Sequence, residues 1–212
     1  MKNKMDVYEY ENTSADIILL QPVDEHDLST LDNEIAFIRE NAGVDFGLFA
    51  FGIGDWNREL SPWEAPAVFG KNNFGDGAED TLNGILKYCD KAKTCIIGGY
   101  SLAGLFSLWS AYRTDAFSAV AAASPSVWFP GFYELMEKNE ILTRNVYLSL
   151  GDREEKAKNP VMATVGDRIR AAHTLLNERG VNCVLEWNEG NHFKDADIRT
   201  AKAFSWEIRN CK

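Results

Sequence analysis

The chain has 212 residues, a length that fits one domain, and 45% of them are hydrophobic and 12% aromatic, which supports a sizeable core and argues against disorder. Lys and Arg number 22 against 32 Asp and Glu, a net charge of −10. An acidic chain without basic clusters is a poor ligand for nucleic acid and for anionic membranes, so neither is an expected partner.

The opening run MKNKMDVYEYENTSAD lacks the apolar centre of a secretory signal, and no stretch approaches the roughly 18 apolar residues of a membrane helix. Cys89, Cys95, Cys183 and Cys211 form no C-x-x-C pair and stand at no ligand-like spacing from His26, His173 and His192. The expectation is a cytoplasmic chain with four reduced thiols and no metal. Next, ADIILLQPV reads as a strand and LSTLDNEIAFIRENAG as a helix, with Leu28, Leu31, Ile35 and Ile38 at helical spacing and Gly43 as its stop. DFGLFAFGI is a second strand, followed by a long irregular segment over 52–75 and a helix in AEDTLNGILKYCDKA. The third strand is TCIIGGY, and the helix after it carries Leu102, Leu105, Phe106 and Trp109 on one stripe. FSAVAAASPSV, NVYLSLGD and VNCVLEWNEGNH supply three more strands. Helices in GFYELMEKNEIL, VMATVGDRIRAAHTLLNERG and DADIRTAKAFSWEIRN alternate with them and close the chain. No internal repeat, low-complexity tract or linker interrupts this order. About six β-α units with nearly continuous apolar strands predict a parallel sheet covered on both faces, in a single domain over 1–212. In such sheets the loops after the strands share one edge, and chemistry belongs there.

Ser101 sits between the third strand and its helix, in Gly99-Tyr100-Ser101-Leu102-Ala103. This is small-x-Ser-x-small. A nucleophile elbow turns so sharply that the serine backbone is strained and the residues two before and two after it come nearly into contact, so both must be small. Gly104 would let the helix lie close to neighbouring strands. A serine hydroxyl needs a base. His173 reads as a partly exposed helix residue, whereas His192 lies directly after the last strand, on the edge that carries Ser101. The acid is expected from LGDREEKAKN after the fifth strand, which offers Asp152, Glu154 and Glu155. Glu154 is the first choice, Asp152 the second and Glu155 the third. Its carboxylate would hold the useful imidazole tautomer. The oxyanion donors would be the backbone N–H of Leu102 and one near Ile53 or Gly54.

These residues resemble the α/β-hydrolases of the esterase group that contains esterase D and the enterochelin (siderophore) esterases. The resemblance rests on GGYSLAGLFSLW, ASPSVWF, GDRE and GNHF, in that order over roughly residues 45–210. It implies an α/β-hydrolase fold, a mostly parallel sheet of about six to eight strands flanked by helices, with Ser101 and His192 catalytic. The short chain before the second strand implies reduced N-terminal antiparallel strands, and the interval Pro130 to Arg144 leaves no room for a large lid.

The 52–75 segment is long for a strand-to-helix connection and holds Trp56, Trp63, Phe69 and Phe74. With Trp128 and Phe129 these would wall an apolar acyl or aromatic pocket. No phosphate loop or G-x-G-x-x-G occurs, so no cofactor is expected. The predicted activity is hydrolysis of a small-molecule carboxylic ester or thioester through an acyl-enzyme, and the sequence leaves the oligomeric state open.

Overall fold

A computed structural model describes residues 5–68 and 70–211. Phe69, expected in the aromatic wall, and the first four residues of the opening run lie outside them. The elements in chain order are β1 (Asp6–Glu11), β2 (Ile17–Val23), α1 (Glu25–Ala42), β3 (Gly47–Gly52), α2 (Trp56–Glu59), α3 (Ala78–Ile85), β4 (Thr94–Tyr100), α4 (Leu102–Ser110), β5 (Ala119–Ala123), α5 (Phe132–Lys138), β6 (Asn145–Gly151), α6 (Val165–Glu178), β7 (Asn182–Asn188) and α7 (Ala196–Asn210).

The strands form one seven-stranded sheet in the order β1-β3-β2-β4-β5-β6-β7. Only β1 is antiparallel, paired with β3 from Asp6↔Gly52 to Glu11↔Gly47. The sequence pattern gave no sign of it. DVYEYE has only Val7 and Tyr10 half-buried, so an edge strand without an apolar run looks like a loop. The expected reduction at the N-terminus is thus one antiparallel strand.

Helix α1 begins three residues before the expected start at Leu28, because Asp24 and Asp27 form a capping box: the Asp24 side chain accepts from the Asp27 N–H and Asp27 reciprocates. It ends at Gly43, whose φ of 72° is left-handed. Two hydrophobic cores sandwich the sheet. Leu31, Ile35 and Ile38 of α1 pack with Ala201, Phe204 and Ile208 of α7 on one face. On the other face lie α3, α4, α5 and α6, through Leu82, Phe106, Phe132 and Ile169.

Helix α4 departs from the expected single stripe, since every residue from Leu102 to Ser110 is buried. Two serines are tolerated there because their hydroxyls donate back to carbonyls one turn earlier, Ser107 to Ala103 and Ser110 to Phe106, each at 2.8 Å. The 52–75 segment is less irregular than its sequence suggests. It holds the turn α2 and an antiparallel bridge between Ala65 and Phe74.

The sheet register places the site. Tyr100 of β4 stands beside Ala123 of β5, and Gly151 of β6 beside Asn188 of β7. Four parallel strands therefore end together, and Ser101, Ser124, Glu154 and His192 all leave from the same edge.

Candidate active site

Ser101 caps α4 with φ 56° and ψ −115°, a backbone conformation that L-residues rarely adopt. The small neighbours explain how the chain reaches it. A Cβ on Gly99 would lie 2.7 Å from the Ala103 Cβ, and one on Gly104 would lie 3.0 Å from the Gly99 carbonyl and 3.1 Å from that of Ala123. The turn is pinned by Ser101 N–H donating to Ala123 C=O at 3.1 Å and Ser126 N–H donating to Ser101 C=O at 3.0 Å. Among the described residues four non-glycines have positive φ, and three of them, Ser101, Ser124 and Asp195, border this edge.

His192 Nε2 is 2.9 Å from Ser101 Oγ, and its Nδ1 is 2.6 Å from Glu154 Oε2. An Nδ1–H donated to the carboxylate leaves Nε2 as acceptor for the serine proton. Glu154 opens a 3-10 turn just past β6 and is 6% exposed. Its other oxygen accepts from the Gly151 N–H at 2.7 Å, the Ser124 hydroxyl at 2.8 Å and Arg199 Nη1 at 3.0 Å. Burial pushes the carboxyl up, but the hydrogen bond and charge of His192, the Gly151 N–H and the Ser124 hydroxyl outweigh it, so the group sits below its usual value.

The other two candidate acids are engaged elsewhere. Asp152 accepts from the Gly190 N–H at 2.8 Å, bracing the histidine loop, and Glu155 pairs with Arg170 at 2.8 Å on the surface. His173 lies half-buried in α6, where its carbonyl accepts from the Asn177 side-chain amide, away from this edge.

One expected oxyanion donor needs correction. The Ile53 N–H donates to the Val23 carbonyl at 2.9 Å, continuing the pairing at the end of β2, so that amide is already committed. Gly54, the alternative beside it, is exposed. Leu102 opens α4, and an amide in the first turn has no partner within its helix.

A cavity of about 230 Å³ opens beside His192, with Trp128, Met162, Val165 and Phe193 as its apolar wall. Trp128 is thus where an aromatic pocket wall was expected. Trp56 and Trp63 do not line this cavity. Trp56 begins α2 and packs against the core, while Trp63 donates its Nε1–H to the Pro130 carbonyl at 2.9 Å and meets Phe129 edge-on. Phe74 and Phe129 also meet edge-on, with ring centroids 5.1 Å apart. The rim residue Phe193 is 88% exposed.

Sequence reading missed Ser124 and Arg199. A serine that ends a strand and an arginine in an amphipathic helix carry no chemical signature. The packing around Gly151 is tight, since a Cβ there would collide with the Gly190 carbonyl and lie 3.0 Å from both terminal Arg199 nitrogens. Among the described residues no group of three or more His, Cys, Asp or Glu could hold a metal ion, and no helix is long and apolar enough to cross a membrane. All four cysteines are free thiols.

No family model matches the sequence, and neither does any curated protein. Solved structures do match. The siderophore hydrolase EstA from Aspergillus nidulans aligns over 99% of this chain and 95% of its own, with a TM-score of 0.70 at 15% identity. An IroE-like serine hydrolase from Shewanella oneidensis aligns over 97% of this chain and 76% of its own, with a TM-score of 0.74 at 13% identity. The enterobactin esterase FES from Shigella flexneri gives 0.67 at 14% identity over 99% of this chain, which spans only 57% of that longer protein. The fold is therefore that of the α/β-hydrolases. The neighbours are siderophore and enterobactin esterases, the group the four sequence motifs resemble.

Proposed function

We propose that this chain is a serine hydrolase of carboxylic esters. The observation that carries the reading is the hydrogen-bonded line Ser101 Oγ–His192 Nε2–Nδ1–Glu154, at 2.9 and 2.6 Å, with the serine on a strained strand-to-helix turn. Ser101 Oγ attacks the ester carbonyl while His192 takes its proton. Glu154 holds the ring and stabilises the imidazolium. The tetrahedral oxyanion is met by the Leu102 N–H, with the Gly54 N–H as the proposed second donor. The imidazolium then protonates the departing alcohol, leaving an acyl-Ser101, and a water deprotonated by His192 releases the acid.

The cavity beside His192 suits an apolar or aromatic part of a small-molecule ester, which Trp128, Met162 and Phe193 would contact. The names of the neighbours support ester chemistry, and siderophore-type esters belong among the substrates to be tried. The free thiols accord with a cytoplasmic setting. The test is covalent trapping. Treatment with an aryl fluorophosphonate should add one phosphonyl group at Ser101, seen by peptide mass spectrometry, and abolish hydrolysis across a panel of short-acyl, aryl and siderophore-type esters and thioesters. Labelling elsewhere, with hydrolysis intact, contradicts the reading.

A further inference from the structure

Arg199 is 2% exposed, a charge buried in the face that α7 turns to the sheet edge. Burying a guanidinium is costly unless its donors are all engaged. Its four terminal N–H groups match four acceptors. Nη1 is 3.0 Å from Glu154 Oε1 and 3.0 Å from the Tyr100 hydroxyl. Nη2 is 3.1 Å from the carbonyls of both Glu189 and Asn191. A further contact to Ser124 Oγ stands at 3.4 Å.

These acceptors come from three separate places in the candidate site. Glu154 is the acid. Glu189 and Asn191 belong to the loop that ends in His192. Tyr100 immediately precedes Ser101, and its hydroxyl in turn donates to the His192 carbonyl at 2.8 Å. Burial, and then the Glu154 charge, push the Tyr100 hydroxyl up to about 12, so it stays a donor at neutral pH. With Oε1 of Glu154 taken by Arg199, Ser124 and Gly151, only Oε2 is left to face the imidazole.

We propose that Arg199 is the positioning residue of this site, one planar fork that fixes the acid and the histidine loop so that the imidazole lines up with Ser101. The inference rests on the reading of Ser101, His192 and Glu154 given above. Arginine suits the task because its donors diverge in a rigid plane, whereas a lysine ammonium is a single point that cannot span both the carboxylate and the two loop carbonyls. Loss of the fork should act on turnover, since the ester itself does not touch Arg199.

The experiment measures pH profiles of kcat and kcat/KM on p-nitrophenyl acetate for wild type, Arg199→Met, Arg199→Lys, Glu154→Gln and the double variant Glu154→Gln/Arg199→Met, with Ser101→Ala beside them. Arg199→Met should lower kcat about 10- to 100-fold, in the range of lost supporting-shell contacts, with KM within about twofold. The acidic limb should move to higher pH, because losing a positive charge makes protonation of the Glu154–His192 pair easier. Arg199→Lys should recover part of kcat. In the Glu154→Gln background the same change should cost less than it does in wild type, since the carboxylate half of the fork's task is already lost. Wild-type kcat in Arg199→Met, an unmoved acidic limb, or losses that multiply in the double variant overturn the proposal. Where Arg199→Met does not fold, Arg199→Lys decides: reduced kcat at unchanged KM supports the proposal, and wild-type kcat overturns it. Activity surviving in Ser101→Ala sinks the serine reading itself, whereas an inactive Ser101→Ala beside a normal Arg199→Met sinks only the role of Arg199.

Discussion

Gly99 and Ala103 meet across the serine turn, and the 2.7 Å that a Gly99 Cβ would leave to Ala103 makes the turn intolerant of a single methyl group. Gly99→Ala should cost about 1–3 kcal/mol through overpacking. The expected readout is a melting temperature lower by roughly 2–12 °C, whereas an unchanged melt would mean that the turn is looser than described. At the acid, Glu154→Gln should lower kcat by about 10²–10⁴-fold, as loss of the orienting carboxylate does in such triads. Glu155→Gln should leave kcat within about threefold, because its carboxylate faces Arg170 and not the histidine. Steady-state kinetics on one ester separate the two. Ser101 and His192 were legible in the sequence because a serine between small residues after a strand, and a histidine after the last strand, imply a shared edge. Glu154 was legible only as one of three carboxylates. Arg199 was invisible, since six residues of loop and helix separate it from His192 and only the fold turns it inward.

Among the elements, α7 carries the clearest anomaly. Glu207 is fully buried, and burial holds its carboxyl well above the usual range, with a backbone hydrogen bond at Tyr147 opposing. The native state keeps that proton while the unfolded chain releases it near a pH of about 4.3. Stability therefore falls as pH rises above that value. Glu207→Met should raise the melting temperature, and more at pH 8 than at pH 5. A larger gain at pH 5 would contradict the assignment. The strands β2 to β6 were legible because each is a largely buried apolar run, and β7, only half-buried at its edge, through the short apolar stretch Cys183 to Leu185. Strand β1 was not, because its stability comes from the ladder with β3 and not from its own composition. The commitment of the Ile53 amide to Val23 was equally hidden, as it depends on where the pairing at the end of β2 stops.

The whole molecule is a frame that ends four parallel strands on one edge and seals the two faces of the sheet with separate cores. The parallel sheet and its shared edge were legible from the alternation of strands and helices, since right-handed crossovers put the loops after the strands on one edge, whereas the order of the strands was not. The same edge links function to acid stability. The native Glu154 carboxyl lies below its usual value, so its contribution is complete above a pH of about 4.3 and is lost as pH falls through the lowered native value. Glu154→Gln should accordingly shrink the difference in melting temperature between pH 6 and pH 3, and an unchanged difference would contradict the shift. The central claim concerns Ser101, and the rate of p-nitrophenyl acetate hydrolysis by wild type and Ser101→Ala at equal folded concentration tests it most directly. The variant should melt like wild type and lose at least about 10⁴-fold in kcat; equal rates above buffer for the two proteins would contradict the role of Ser101.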